Sequence, residues 1–254
     1  MMMIGRIGRS PLLLALLLLA AALLGAGVAI GVQALAGGGI GDRGKVEGIV
    51  RDYVLAHPDL IPEAMNRLHA RETAKAIDAN RSAILDPFPG AVAGNPKGDV
   101  TLVAFMDYAC TYCRASLPAL RQLMRDDPKL RVVFREFPIL SEASVTAARW
   151  ALAAAEQGKY QPFHDALYAN PALSESSIQA AVRVAGLDQA RAAQVAGSEK
   201  VENELMRNRR TGQQLNITGT PSWVVGDQLI GGAVSYDQLK DAVAKARAAK
   251  GISS

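Results

Sequence analysis

From residue 45 onward the apolar positions recur in two rhythms, and each change of rhythm marks an element. Val46, Ile49, Val50, Tyr53 and Val54 share one face at helical spacing. His57-Pro58 interrupts this stripe, because the residue before proline avoids the α region and proline suits the first turn of a fresh helix. Leu60, Ile61, Ala64, Met65 and Leu68 make a second stripe that thins out through Ile77 and Ile84. Turn-rich residues follow at 86–90 and 94–99. Then the period changes. Val100–Met106 is a β-branched and aromatic run that reads as a buried strand, and Leu117, Leu120, Leu123 and Met124 restore helical spacing at once. Asp126-Asp127-Pro128 breaks that helix, and 130–137 is the next strand. A strand, helix, strand order predicts parallel pairing with a right-handed crossover.

Residues 141–215 are helical in pattern. Ser141 caps an alanine-rich segment reaching Gly158, and further helices are predicted at 160–169, 174–185, 188–196 and 198–215, punctuated by Pro171, Gly186 and Gly197. Strands return at the end. Residues 217–225 are a turn feeding a strand, Gly226-Asp227 is a two-residue hairpin signal, and 228–230 is the return strand. Ser235 then caps a final helix from Tyr236 to about Ala248.

Ahead of all this, residues 11–32 carry no charge and are dominated by Leu and Ala. As a helix the run is about 33 Å long, enough to cross a bilayer. Arg6 and Arg9 precede it, so the positive-inside rule predicts a cytoplasmic N-terminus and places the chain after Gly37 outside. The run exceeds the roughly 7 to 15 apolar residues of a cleavable signal, whereas Ala34-Leu35-Ala36 is a small-x-small site for a signal peptidase. An uncleaved anchor is the favoured reading, with cleavage after Ala36 as the alternative. Either way the remainder is expected in the periplasm, or on the extracytoplasmic face of the inner membrane. Gly37 to Gly44 reads as a flexible linker. The expected organisation is 1–41 signal-anchor or signal peptide plus linker, 42–88 an N-terminal helical region, and 89–254 the main domain, with a helical insertion at about 139–215. The stripes within 45–85 lack apolar partners enough for a core of their own, so they either pack on the following domain or form a homo-oligomer.

Composition narrows the function. Half the residues are hydrophobic, ample for a core of ordinary size. Net charge is +4, two of it from Arg6 and Arg9, and no basic stripe or aromatic–basic interleaving supports nucleic-acid binding. The chemistry sits in the two cysteines, Cys110 and Cys113. Both open a helix after a strand, where unpaired backbone N–H groups and the positive dipole end favour a thiolate on Cys110. Cys113, one turn on, can attack a mixed disulfide formed on Cys110. Such a pair is a redox motif in an exported chain, which meets an oxidising compartment. Structural zinc wants four ligands, and His57, His69 and His164 lie far from the pair. A structural disulfide across so short a loop would stabilise little. Binding of Cu(I) or another soft metal by the two thiols stays open as the alternative.

The segments DYACTYC, FREFPIL, GKYQPFH and ITGTPSWVVG, in this order, resemble the DsbA-like thiol-disulfide oxidoreductases over roughly residues 95–249. The preceding helical region, with its His-Pro and Ala-Met stretch, is similar to the extension of the ScsC-like branch. The resemblance implies a thioredoxin fold of α/β class carrying an inserted helical subdomain, with Cys110 as nucleophile and Cys113 as resolving thiol. It implies that Pro221 is cis and faces the disulfide, leaving the Thr220 backbone to pair with an extended substrate, while Thr111 and Tyr112 complete the active-site loop. No cofactor and no resident metal is implied. Two departures stand out. Related enzymes usually bury an acid six positions before the first cysteine, where this chain has Ala104, so Asp107 becomes a candidate proton carrier. Thr111-Tyr112 stands where a proline usually precedes the aromatic residue. His164 reads better as a packed or capping histidine than as a base, Arg114 as a solvated charge or a thiolate stabiliser, and Trp223 as core. The expected function is to form, reduce or isomerise disulfides in cysteine-containing exported proteins, reset by a membrane or periplasmic redox partner.

Overall fold

Alternation along two adjacent strands decides which helices cover which side of the sheet. The computed structural model describes residues 11–36 and 43–252. The chain forms two units, Met1–Met65 and Asn66–Ser254. The first holds helices α1 (Pro11–Ala36) and α2 (Arg43–Ala56) and the start of α3 (Leu60–Ala79). Within α1, Ala15–Val32 is, among the described residues, the one stretch long and apolar enough to cross a membrane, and it is exposed throughout. In α2 no residue is buried, and the predicted stripe lies open, with Ile49 69% exposed. The His57-Pro58 break is real. The Nδ1 atom of His57 lies 3.0 Å from the carbonyl of Tyr53, and Leu60 starts α3 by donating its N–H to the His57 carbonyl.

The second unit adds α4 (Arg81–Leu85), β1 (Val92–Gly94), β2 (Val100–Met106), α5 (Thr111–Asp126), β3 (Leu130–Glu136), α6 (Glu142–Glu156), α7 (Tyr160–Ala169), α8 (Glu175–Val184), α9 (Gln189–Ala196), α10 (Glu199–Gln214), β4 (Ser222–Val225), β5 (Gln228–Gly231) and α11 (Tyr236–Ala249). The sheet order is β1-β3-β2-β4-β5. β2 and β3 pair in parallel, with Ala104 opposite Phe134 and Met106 opposite Glu136, as the crossover through α5 predicts. The other three pairings are antiparallel. β1 was not predicted: at three residues, with a glycine at its end, it is too short to show a period.

Because side chains alternate across a strand, Leu102, Ala104, Met106, Leu130, Val132 and Phe134 face the larger core, filled by α5, α6, α7, α8 and α11. Val103, Phe105, Val133 and Phe137 face the opposite side, where Ile77 and Ile84 from the end of α3 and α4 cover them together with Leu215 and Ile217. Residues 76–85 thereby become part of the catalytic unit. The alanines of α6 at 147, 148, 151 and 153–155 are all buried, and their small size lets α7, α8, α9 and α10 crowd around one helix. One glycine is required by the same crowding. At Gly90, with φ at +87°, an added Cβ would stand 2.2 Å from the Ala155 carbonyl oxygen.

The smaller core is tied by a charge. Arg135 is buried on the same side as Phe137, and donates to Glu204 Oε1 at 2.8 Å, Asn208 Oδ1 at 3.3 Å and the carbonyl oxygens of Ile84 and Asp86. Arg207 holds the second oxygen of Glu204 at 2.6 Å. Removing one partner of a buried pair typically costs about 3–5 kcal/mol. Since Arg207 remains on Glu204, Arg135→Ala should lose about 3 kcal/mol, read as a lower urea midpoint with unchanged slope. A midpoint equal to the wild type would show that this network does not hold 76–86 against the sheet.

Candidate active site

The end of β2 delivers a turn, Asp107 to Cys110, and then α5. Cys110 is the N-cap of α5: its backbone is extended (φ −80°, ψ 115°) and its Sγ accepts the Cys113 N–H at 3.3 Å. The same Sγ donates to the carbonyl oxygen of Thr220 at 3.2 Å. Both cysteines are free thiols, Cys110 6% exposed and Cys113 0%. The Thr220–Pro221 bond is cis and precedes β4 directly. Thr111 and Tyr112 occupy the first turn of α5, with Tyr112 65% exposed. Cys110, Thr111, Tyr112, Cys113, Thr220 and Pro221 therefore lie at one end of the sheet.

Burial pushes the Cys113 thiol well above the ordinary thiol range, while a main-chain hydrogen bond from Asp107 and the Thr220 hydroxyl act against it. Among the described residues the buried Thr220 hydroxyl has no other hydrogen-bond partner. Ala104 lies in the larger core, opposite Phe134 on β3 and Trp223 on β4, so no acid stands at that position. Trp223 is core, as expected, its indole N–H donating to the Gly232 carbonyl.

Asp107, the candidate proton carrier, is engaged through both carboxyl oxygens. Its Oδ1 accepts the N–H of Ala109 at 2.8 Å, and its Oδ2 accepts those of Ile139 at 2.8 Å and Leu140 at 3.0 Å. Its carbonyl accepts the Cys110 N–H and the Tyr168 hydroxyl. The carboxylate thus braces the cysteine turn against the loop after β3. Arg114 is half-buried and engaged: it caps the C-terminus of α7, donating to the carbonyls of Tyr168, Asn170 and Pro171 at 2.9, 2.6 and 3.1 Å.

Behind the turn lies a buried polar cluster that the sequence reading missed. Glu136, at the end of β3, accepts the hydroxyls of Tyr160 at 2.6 Å and Tyr108 at 3.3 Å through one oxygen. The Tyr108 oxygen also meets Nδ1 of His164 at 3.1 Å. Burial lifts Glu136 from the usual carboxylate range to about 8 and drops His164 to about 3, so both are neutral at pH 7. His164 is therefore a packed histidine, enclosed by Tyr108, Phe134, Tyr160 and Tyr168. The available signal was Arg135-Glu136, two adjacent charges between the apolar Val132-Val133-Phe134 and Phe137. Among the described residues no group of three or more His, Cys, Asp or Glu is placed to share a metal ion.

Comparisons with known proteins agree with this geometry. Residues 101–244 match the DSBA-like thioredoxin domain, and residues 42–75 match the copper resistance protein ScsC N-terminal domain. A thioredoxin-like oxidoreductase from Silicibacter pomeroyi is 41% identical with a TM-score of 0.64, covering 66% of this chain and 98% of that one. The thiol-disulfide exchange protein alpha-DsbA2 from Wolbachia pipientis is 30% identical with a TM-score of 0.64, covering 69% and 96%. Proteus mirabilis ScsC in a compact conformation is 26% identical with a TM-score of 0.61, covering 82% and 99%. Among curated proteins, the Na(+)/H(+) antiporters NhaA 3 of Salinispora tropica and NhaA 1 of Salinispora arenicola are 28% and 27% identical over 165 residues, 64% of this chain. The chain spans only 25% of the length of those two relatives. With the family match covering more than half the chain, the fold in place and the cysteine pair beside a cis proline, this chain belongs to the DSBA-like thioredoxin domain family of thiol-disulfide oxidoreductases.

Proposed function

We propose that the protein exchanges disulfides with cysteine-containing exported proteins through Cys110 and Cys113, and that it works chiefly as an isomerase. The observation that carries the exchange reading is the placement of Cys110 Sγ at the start of α5, 3.2 Å from the Thr220 carbonyl, with Cys113 buried behind it. In the oxidising direction a client thiolate attacks Cys110 Sγ of the Cys110–Cys113 disulfide and expels Cys113 as a thiolate, which takes up a proton. A second client thiolate then attacks the client sulfur of the mixed disulfide and releases Cys110, so the pair gains two electrons as the client loses two. In the isomerising direction the Cys110 thiolate attacks a client disulfide, and a different client thiolate later displaces it, with no net electron transfer.

The burial of Cys113 supports the second direction. A thiol held protonated resolves the mixed disulfide slowly, which leaves time for the client to rearrange. The Thr220 carbonyl beside Cys110 and the exposed Tyr112 support pairing with an extended client segment there. The apolar helix at 15–32 supports residence on the extracytoplasmic face of a membrane, where an exported redox partner resets the pair. The match of residues 101–244 favours exchange over soft-metal binding by the same two thiols.

Two tests follow from this reading. Cys113→Ser should accumulate mixed disulfides with exported proteins on non-reducing gels, and Cys110→Ser should accumulate none. Equal trapping by the two variants would overturn the assignment of nucleophile and resolving thiol.

The second test concerns residues 45–85. Val46, Ile49, Val50 and Tyr53 on α2 and Ile61 and Met65 on α3 are exposed large apolar residues, which water penalises unless another surface covers them. We take that surface to be a second copy of the chain. Linking several cysteine pairs raises the effective thiolate concentration around one client. The chain from residue 42 should therefore be an oligomer by light scattering. The double variant Ile49→Asp, Tyr53→Asp should fall to monomer mass and lose most refolding of scrambled ribonuclease. Monomer mass for the unsubstituted chain would refute the association.

A further inference from the structure

Neighbouring residues of β3 bury opposite solutions to the same problem. Arg135 points into the smaller core and is paired with Glu204, whereas Glu136, on the other face, has no cation. Among the described residues no ion pair involves Glu136. The groups facing it are named readily. From the turn after β2 come Tyr108 and Asp107, and from α7 come Tyr160, His164 and Tyr168. Asn208 of α10 bonds only its main-chain oxygen, at 3.1 Å. If Tyr108 donates to Glu136, His164 donates through Nδ1 to the Tyr108 oxygen, and the unpartnered Nε2 carries no proton. Tyr108 stands two residues before Cys110, and Tyr168, which bonds the Asp107 carbonyl, packs against Tyr108 with ring centroids 4.7 Å apart.

We propose that Glu136 is a positioning residue for thiol exchange, kept as a neutral acid beneath the Asp107–Cys110 turn, and that loss of its proton disfavours the reduced, thiolate-bearing form of the cysteine pair. The reason is electrostatic. Ionised Glu136 places an uncompensated negative charge in the same buried region as Asp107, and a further negative charge on sulfur there becomes costlier. The proposal rests on the exchange reading of Cys110 and Cys113, but its readout is separate from the trapping test above.

The cluster leaves one candidate for titration near pH 8. Burial holds Tyr108, Tyr160 and Tyr168 well above their ordinary range and His164 at about 3, while Glu136 sits at about 8. The sign of the linkage is fixed by that elevation. The folded-state value is higher than the usual 4.5, so the stability Glu136 contributes is fully present below pH 4.5 and is lost as pH rises through 8.

The experiment follows the glutathione redox equilibrium of the full chain in detergent from pH 6 to pH 9.5. The wild type should show an inflection with its midpoint near pH 8, beyond the slope due to the thiols, and Glu136→Gln should lose it. An inflection retained in the variant overturns the proposal. Carboxyl 13C spectra of glutamate-labelled wild-type protein decide the matter even if the variant does not fold. One glutamate should titrate near pH 8, and Tyr160→Phe should move that midpoint upward, because the Tyr160 hydroxyl favours the charged form. A full set of glutamates titrating below pH 6 overturns the proposal. Failure of the Cys113→Ser trap alongside a glutamate midpoint near 8 would instead fault the exchange reading.

Discussion

The carboxylate of Asp107 is the brace on which the site depends. Three main-chain N–H groups converge on it, one from the cysteine turn and two from the loop after β3. A loop carrying unsatisfied N–H groups in a buried place would cost free energy at each one, and a single acid satisfies all three with charge-assisted bonds. The parallel pairing of β2 and β3 makes this possible, because it brings both strands to their C-terminal ends on the same edge. The cysteine turn is therefore held from β3 as well as from its own strand. The Asp107 carbonyl completes the frame by accepting from Cys110 and Tyr168.

The helical insertion is attached to that frame through its end nearest the cysteines. Arg114, the residue after Cys113, donates its guanidinium to carbonyls at and just past the end of α7, where a cation also meets the negative end of the helix dipole. α7 in turn supplies Tyr160, His164 and Tyr168, all buried against the turn. A chain of side chains, half-buried at Arg114 and buried at Tyr160, His164 and Tyr168, thus links the insertion to the cysteine turn. The alanine-rich α6 serves the same end from farther away, since only small side chains let four helices pack around it and keep α7 in place.

The two buried charges of β3 show why burial alone does not dictate an outcome. Arg135 stays ionised because Glu204, Asn208 and two carbonyls replace its hydration. Glu136 meets only hydroxyls, which stabilise a carboxylate less than a cation does, and neutrality is the lower-energy state. Alternation puts one residue on each face of the sheet, so each side chain finds a different neighbourhood one position apart.

Periodicity and punctuation carried most of the architecture. The strands at 100–106 and near 130–137, the Gly226-Asp227 hairpin and the capped helices from Ser141, Ser174, Asp188, Ser198 and Ser235 were all legible, because each depends on interactions within a few residues. The cysteine pair at a strand-to-helix junction was legible for the same reason. Only the tertiary structure could show what lies beside it. Asp107 satisfies main-chain groups 32 and 33 residues away, Arg114 caps a helix more than fifty residues on, and Glu136 is neutral because of tyrosines at 108 and 160. A side chain's protonation and partners are set by which distant groups displace its water, and a local pattern holds no record of that.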